Sequence, residues 1–218
     1  MANIKQQLEV PSIPSLGFAP EGYERRHFSE NYGALNLYFR KMTSVLGALF
    51  GPMGAKHLNT PHGAFQDSTD QTAASTTVAY PVKFNTTDFT NGVTIVSDSR
   101  MTVSVSGLWN IAFSLQFKNT SNDGQDVDIW FRKNGTNIAN SNSRFHLPAR
   151  KSTGDPAHLI AAMNFFVSLV KDDYVEIMWR VSDVGVSLEQ FGTSTSPTRP
   201  AIPSAIVTLS FVSNLSTI

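Results

Sequence analysis

The chain has 218 residues, of which 41% are hydrophobic and only 16% are charged, and its 17 basic and 17 acidic side chains cancel. This balance gives no basic excess for nucleic acid, and no apolar run reaches the roughly 18 residues of a membrane span or forms a signal peptide. The absence of cysteine excludes disulfides, cysteine-ligated zinc and thiol catalysis. We therefore expect neither nucleic acid nor a membrane as a partner, and assembly in a cytoplasm followed by lysis.

Residues 1–28 predict an extended arm. Pro11, Pro14 and Pro20 are too closely spaced for a long helix and favour an extended course. The apolar residues between them suit an arm that docks on another surface, whereas a disordered leader is the alternative. The candidate anchor residues are Val10, Ile13, Leu16 and Phe18.

Residues 29–60 predict a short trimerising or docking helix and a linker. Ser29 is a candidate N-cap, Glu30 suits the first turn, and Gly51 and Pro52 stop the helix. Apolar side chains recur at alternating steps of three and four, as in a coiled coil, but about two heptads need further support. The alternative is a helix folded against its own domain. The predicted seam is Leu35, Tyr38, Met42, Val45 and Leu49.

From residue 61 onward the apolar residues recur with a period of two, which predicts strands with one buried face. Turn pairs such as Asn91-Gly92 and Asn134-Gly135 separate them. About eight to ten short strands without an intervening helical pattern predict an all-β antiparallel sandwich or jelly roll. The alternating sets are Met101, Val103, Val105; Trp109, Ile111, Phe113, Leu115, Phe117; Val127, Ile129, Phe131; Leu159, Ala161, Met163, Phe165, Val167, Leu169; Val175, Ile177, Trp179, Val181; and Val207, Leu209, Phe211.

Several of these strands resemble the jelly-roll domains of the tumour necrosis factor and complement globular-head superfamily. Residues 107–117 are similar to its strand that begins with a glycine and an aromatic, and Arg132–Gly135 to the Lys-Asn-Gly hairpin that follows. Residues 173–179 resemble a later Gly-Asp-x-Val strand, with Asp172 where glycine is usual, and residues 206–212 resemble the last strand. The resemblance implies a jelly-roll fold of this type.

Several short segments of the sequence are also similar to segments of bacteriophage virion proteins. The similar segments are Gly63–Asp67, Gln71–Ala79, Asn91–Ser97, Ile129–Asn137 and Pro200–Ser204. This resemblance implies a tail fibre, head fibre or other appendage on the virion surface, usually a homotrimer, with the leading 60 residues as the anchor to other virion proteins. A capsid decoration protein without a receptor role and a free lectin-like glycan-binding protein are the alternatives.

A trimer also follows from surface chemistry, because exposed apolar area costs about 25 cal/mol per Å² and packing around an axis removes it from water. In residues 128–131, apolar side chains fall on both faces of one strand. The candidates for the trimer axis of the head are Trp130, Phe145 and Tyr174.

The sequence contains few groupings that suggest chemistry. None of the five histidines has metal-ligand spacing, and no nucleophile elbow or phosphate-binding loop is present. Asp123, Asp126 and Asp128 supply oxygen ligands of the kind that calcium prefers, although a plain hairpin turn explains them as well. The possible ligand residues for an anion or a host cell-surface glycan are Arg144, His146 and Arg150. We expect no enzymatic activity and no cofactor; a polysaccharide-cleaving enzyme would need paired acids whose separation the sequence does not give.

Overall fold

A computed structural model describes residues 11–18, 21–50 and 59–214. The chain divides into two compact units, residues 1–59 and 60–218. The predicted division between residues 60 and 61 lies one residue from this boundary.

The first unit contains one described helix, α1 (Arg25–Phe50). Gly51, where the helix is predicted to stop, lies outside the described residues. The helix begins four residues before Ser29, so the predicted N-cap at Ser29 is wrong. The Phe28 amide donates to the Glu24 carbonyl (3.2 Å), and Arg26 pairs with Glu30 (2.8 Å), which extends the helix toward the N-terminus. None of the described α1 residues is buried, and no described helix is long and apolar enough to cross a membrane.

The described part of the arm, residues 11–18, forms neither helix nor strand. The Gly17 amide donates to Asn31 Oδ1 (3.3 Å), and a Cβ at Gly17 would lie 2.9 Å from Cε1 of His27. The absence of a side chain at Gly17 therefore lets the arm backbone approach the first turns of α1. Val10 lies outside the described residues.

The second unit consists of strands and turns. In chain order the strands are β1 (His62–Asp67), β2 (Gln71–Thr72), β3 (Tyr80–Pro81), β4 (Thr86–Asn91), β5 (Val93–Val96), β6 (Arg100–Val103), β7 (Gly107–Asn119), β8 (Gln125–Lys133), β9 (Thr136–Asn137), β10 (Ser143–Leu147), β11 (Ala157–Leu169), β12 (Tyr174–Val181), β13 (Val186–Leu188), β14 (Ser194–Thr195), β15 (Thr198–Arg199) and β16 (Ala205–Ser213).

These strands form two antiparallel sheets, and β14 and β15 form a separate pair. In the first sheet, β7 pairs with β11 along its whole length, and its opposite edge pairs with β16 and then β13. The order continues from β16 through β1 to β4, and β2 pairs with β13. The second sheet has the order β10-β8-β12-β6-β5, with β3 on β12 and β9 on β8. The predicted all-β antiparallel sandwich is confirmed.

The core lies between the two sheets. On β7 every odd-numbered residue from Gly107 to Asn119 is buried and every even-numbered residue is half-buried, as the period of two predicts. Aromatic rings close the gap between sheets: Phe113 meets Phe131 at a centroid distance of 5.9 Å, and Phe117 meets Trp179 at 5.7 Å. Each fully buried aromatic side chain contributes about 1.5–3 kcal/mol relative to exposure.

Two positions show how backbone requirements select residues. Gly107 begins β7 where a Cβ would lie 2.2 Å from the Phe211 ring and 2.7 Å from the Ser213 carbonyl oxygen, so only glycine fits there. Asp172 adopts a φ of 69°, the left-handed conformation that glycine reaches most easily. The glycine that the resemblance expects at this position therefore has a conformational reason, and Asp172 adopts the same turn.

Candidate functional site

The outer face of the second sheet carries paired charges. Glu176 on β12 is only 2% exposed, accepts from Ser99 Oγ (2.9 Å) and pairs with Arg132 on the neighbouring β8 (2.9 Å). The Arg100 guanidinium lies over the Tyr174 ring, 4.8 Å from its centroid. Because buried charge is costly unless it is paired, these contacts make the face stable next to water without a partner.

One row across this sheet joins two arginines to one aspartate. The strand register places Arg144 on β10 and Arg180 on β12 on either side of Asp128 on β8. Arg144 contacts both Asp128 oxygens (Nε–Oδ1 2.9 Å, Nη2–Oδ2 3.2 Å), and Arg180 Nη1 contacts Oδ2 (3.1 Å). The hydrogen bond from Arg144 lowers the pKa of Asp128 most strongly, and it outweighs burial, which acts in the opposite direction.

A cleft lies beside this row, two residues further along β8, and we call it the Trp130 cleft. Its volume is about 340 Å³, and the half-buried indole of Trp130 forms part of its wall. Trp130 Nε1 donates to Asn137 Oδ1 (2.8 Å), which fixes the orientation of the ring. The lining residues are Asp128, Trp130, Asn137, Ile138, Asn140, Asn142 and Arg180.

The predicted ligand residues already have partners in the chain. Arg144 and His146 lie on the exposed side of β10, and Asp126 contacts both, at 2.8 Å from His146 Nδ1 and 3.9 Å from Arg144 Nη1. Arg150 Nε donates to Asn122 Oδ1 (2.9 Å). The structure thus brings Arg144 and His146 together on one face, but neither lines the Trp130 cleft, and their binding of an anion or glycan stays a prediction.

The three aspartates that suggested calcium are differently engaged. The carboxylates of Asp126 and Asp128 contact basic side chains, and the main-chain carbonyl of Asp123 accepts from Asn119 Nδ2 (3.0 Å). Within the described ranges, no three carboxylate or histidine side chains are grouped as metal ligands.

The structure does not bring the predicted axis residues onto one surface. Phe145 packs against the core, whereas Trp130 and Tyr174 lie on the outer face of the second sheet. The pairing of Trp130 with Met178, four residues from Tyr174 on β12, separates these two along the sheet. Their contact with a trimer axis stays a prediction that one chain does not test.

The outer face of the first sheet has a different chemistry. Between Leu108 and Gln116 of β7, the paired residues of β7, β11 and β16 point only uncharged side chains outward, and we call this surface the uncharged face. It ends at Lys118 and His158, which both contact Glu189 (2.6 and 2.8 Å). Phe166, Ile160 and Ile206 are 55%, 58% and 38% exposed, respectively. The members are Leu108, Asn110, Ala112, Ser114, Gln116, Ile160, Ala162, Asn164, Phe166, Ser168, Ile206, Thr208 and Ser210.

Two sequence signals could have identified the uncharged face. In Leu159-Ile160 and Phe165-Phe166, one member of each pair must point outward in a strand. The same two-sided pattern was used to single out residues 128–131. The Trp130 cleft has no such signal, because Asn140 and Asn142 reach it through the loop between β9 and β10.

All five residues of the predicted helix seam lie within α1. All five seam residues are half-buried, while Leu37, Phe39 and Phe50 beside them are 55%, 61% and 86% exposed. The described anchor residues Ile13 and Phe18 are 85% and 100% exposed, and Leu16 is 45% exposed. Their contacts with sister chains or a particle stay predictions.

Comparisons with known proteins find likenesses among solved structures only. No protein-family model and no curated protein matches the chain. Among solved structures, the chain is similar to the globular domain of the zebrafish complement 1qA protein, with 15% identity and a TM-score of 0.42 over 72% of this chain and all of that one.

Proposed function

We propose that this chain is a non-enzymatic structural protein that forms a homotrimer through its β-sandwich unit and is anchored by its N-terminal unit to a bacteriophage particle. The proposal places it on the virion surface as a fibre or as a head or tail appendage, after assembly in the host cytoplasm. The observation that carries the trimer is the contrast between the two outer faces of the sandwich.

The uncharged face shares with interface centres the scarcity of charge, and exposed Phe166, Ile160 and Ile206 give it apolar area. Such centres are depleted in charged residues and enriched in aromatic and aliphatic ones, whereas a solvated sheet face carries charges. Phe166 and Ile160 expose more than half of their surface there, and Ala112 and Ala162 between them leave room for close approach of another sheet. A second copy of this chain supplies a surface with the same uncharged chemistry.

The N-terminal unit supports the anchoring part of the proposal. A helix of 26 residues in which no described side chain is buried gains little from its own unit, and helices of this length owe most of their stability to packing. Exposed Phe28, Phe39 and Phe50 are the residues that a particle protein or sister helices would cover. This observation favours an anchored protein over a free lectin-like one.

The oligomeric state is the first test. We expect light scattering on the purified full chain to give a mass near three times the 23.9 kDa of one chain. A monomer at micromolar concentration would contradict the trimer.

The particle anchor has a separate test. A variant lacking residues 1–50 is expected to keep the β-sheet circular-dichroism spectrum of the head but to be missing from purified particles assembled with it. Incorporation of the truncated protein at the level of the full chain would refute the anchor.

The non-enzymatic part of the proposal has its own test. Incubation of the purified protein with host surface polysaccharide is expected to leave the chain length of the polysaccharide unchanged.

A further inference from the structure

We propose that the Trp130 cleft is a binding site for a neutral pyranose, with Trp130 as the stacking surface and the amides of Asn137, Asn140 and Asn142 as hydroxyl partners. The inference deepens the proposed function by naming the class of ligand that the displayed head would contact. It rests on the proposed surface role only for the natural source of the sugar, a glycan of the host cell.

The shape and position of the cleft suit a small ligand. A volume of about 340 Å³ falls at the lower end of the range of small-molecule sites. Residues from three parts of the second unit converge there: Asp128 and Trp130 from β8, Arg180 from β12, and the segment from Asn137 to Asn142 that connects β9 with β10. The cleft lies on the sheet opposite to the uncharged face, so a trimer formed through that face leaves it open.

The aromatic wall is held in place before any ligand arrives. The hydrogen bond from Trp130 Nε1 to Asn137 Oδ1 satisfies the one polar group of the indole. What remains of the ring is an apolar surface on which the C–H face of a pyranose can pack. A fixed aromatic loses little conformational freedom on binding, which favours affinity.

The polar groups of the cleft include amides without partners. Among the described residues, no side-chain hydrogen bond is made by Asn140 or Asn142, and both are exposed. Asn140 holds a φ of 61°, a left-handed conformation that sets the loop against the cleft. Each amide offers both donors and an acceptor, which matches neighbouring sugar hydroxyls that act in both roles.

The charges at the cleft favour a neutral ligand over an anion. Asp128 contacts both Arg144 and Arg180, and Asp126 contacts Arg144, so two carboxylates balance two guanidinium groups. Arg180 also donates through Nε to the Thr76 carbonyl (2.8 Å). Because the guanidinium charges are balanced, an incoming phosphate or carboxylate meets no net positive charge there, whereas a neutral hydroxyl needs none and can accept from the remaining Arg180 donors.

The fluorescence of Trp130 can report ligand binding at this site. Of its three tryptophans, Trp109 and Trp179 are buried at 0% and 1% exposure, and Trp130 is half-buried. A sugar that stacks in the cleft is therefore expected to change the fluorescence of Trp130 and to leave the other two unchanged. Glucose, galactose, mannose, N-acetylglucosamine and N-acetylgalactosamine are the probes, with N-acetylneuraminic acid as the anionic one.

We expect at least one neutral probe to give a saturable fluorescence change with a dissociation constant of about 1 mM per head. By saturation-transfer NMR with that probe, Trp130→Ala is expected to weaken binding by about tenfold, and Asn142→Ala by about threefold. Asn142 is exposed and unpaired, so its replacement leaves the fold intact. Thr94→Ala is the matched control, because Thr94 is exposed on β5 of the same sheet and outside the cleft lining, and this variant is expected to bind as the unmodified chain does.

Three results would overturn the inference: no neutral probe saturating up to ~10 mM, equal loss in Thr94→Ala and Asn142→Ala, or saturation by N-acetylneuraminic acid alone. The proposed trimer and the cleft site are tested independently. A monomeric chain that still binds the sugar refutes the trimer and leaves the cleft site standing. A trimer that binds no probe refutes the cleft site and leaves the trimer.

Discussion

Phe166→Ser on the uncharged face gives the sharpest test of the proposed trimer. Phe166 is 55% exposed in one chain, and a phenylalanine side chain buries roughly 150–250 Å² when fully covered, so on the order of 100 Å² is available for a sister chain. At about 25 cal/mol per Å², covering this area contributes ~2.5 kcal/mol per protomer. Three protomers therefore lose about 7 kcal/mol when all of the area is covered, and ~4 kcal/mol when half of it is.

These free energies convert directly into dissociation. Since 1.4 kcal/mol corresponds to a factor of ten, the constant for dissociation of the trimer into monomers rises by between about 10³-fold and 10⁵-fold. Analytical ultracentrifugation over a range of micromolar concentrations measures this shift. Circular dichroism and thermal unfolding of the variant head in its monomeric form should match those of the unmodified head, because Phe166 contributes little to the core of one chain.

Val184→Ser is the matched control. Val184 is also 55% exposed, but it lies in the turn between β12 and β13, away from the uncharged face. The reasoning is wrong if the unmodified chain is trimeric and Phe166→Ser dissociates no more readily than Val184→Ser. In that case the trimer contact would lie on another surface, such as the outer face that carries Trp130 and Tyr174.

Three further predictions concern the stability of the head. Gly107→Ala is expected to lower the free energy of unfolding by about 2 kcal/mol in urea titrations, since its Cβ would meet the Ser213 carbonyl and the Phe211 ring; an unchanged midpoint would show that this contact relaxes freely. Asp172→Gly should keep or raise stability by up to ~1 kcal/mol, and Asp172→Ala should lower it, because only glycine adopts φ 69° without strain; the reverse order would contradict the role of the turn. The hydrogen bond from Arg144 is the first cause of the lowered pKa of Asp128. The stabilising contribution of Asp128 is therefore complete above about pH 4, near the unfolded pKa, and is lost as pH falls through the folded pKa. The free energy of unfolding of Asp128→Asn should fall less steeply with acid than that of the unmodified chain, and an equal dependence on pH would count against the pairing.

The fold could be predicted because its strands carry a clear signal. On β7 the large apolar residues Trp109, Ile111 and Phe113 alternate with smaller or polar ones such as Asn110 and Ala112, and this period of two gives both the strand and the face that it buries. The beginning of α1 could not be predicted in the same way, because the Arg26–Glu30 pair lets the helix start before the residue with the better capping side chain.

The candidate site was predictable only in part. Residues 128–131 correctly indicated an outward aromatic, and Trp130 lies on the outer face while Ile129 and Phe131 are buried. Phe145 was assigned to the surface although its neighbours Arg144 and His146 already occupied the outward positions of that strand. The amides of the Trp130 cleft depend on the conformation of a loop and on pairing between strands distant in sequence, neither of which a local pattern contains.

The proposed trimer has two contacts, one through the seam of α1 and one through the uncharged face, and each is weak by itself. About two heptads of seam on α1 do not hold a coiled coil alone, and the uncharged face offers a few exposed apolar side chains. Because one chain carries both, association through either contact raises the effective concentration of the other to the millimolar range. Loss of the helix should therefore increase the concentration at which the head assembles without removing the contact, and loss of Phe166 should do the same for the helix. An unchanged assembly concentration after loss of either contact would mean that the two contacts do not stabilise the same assembly.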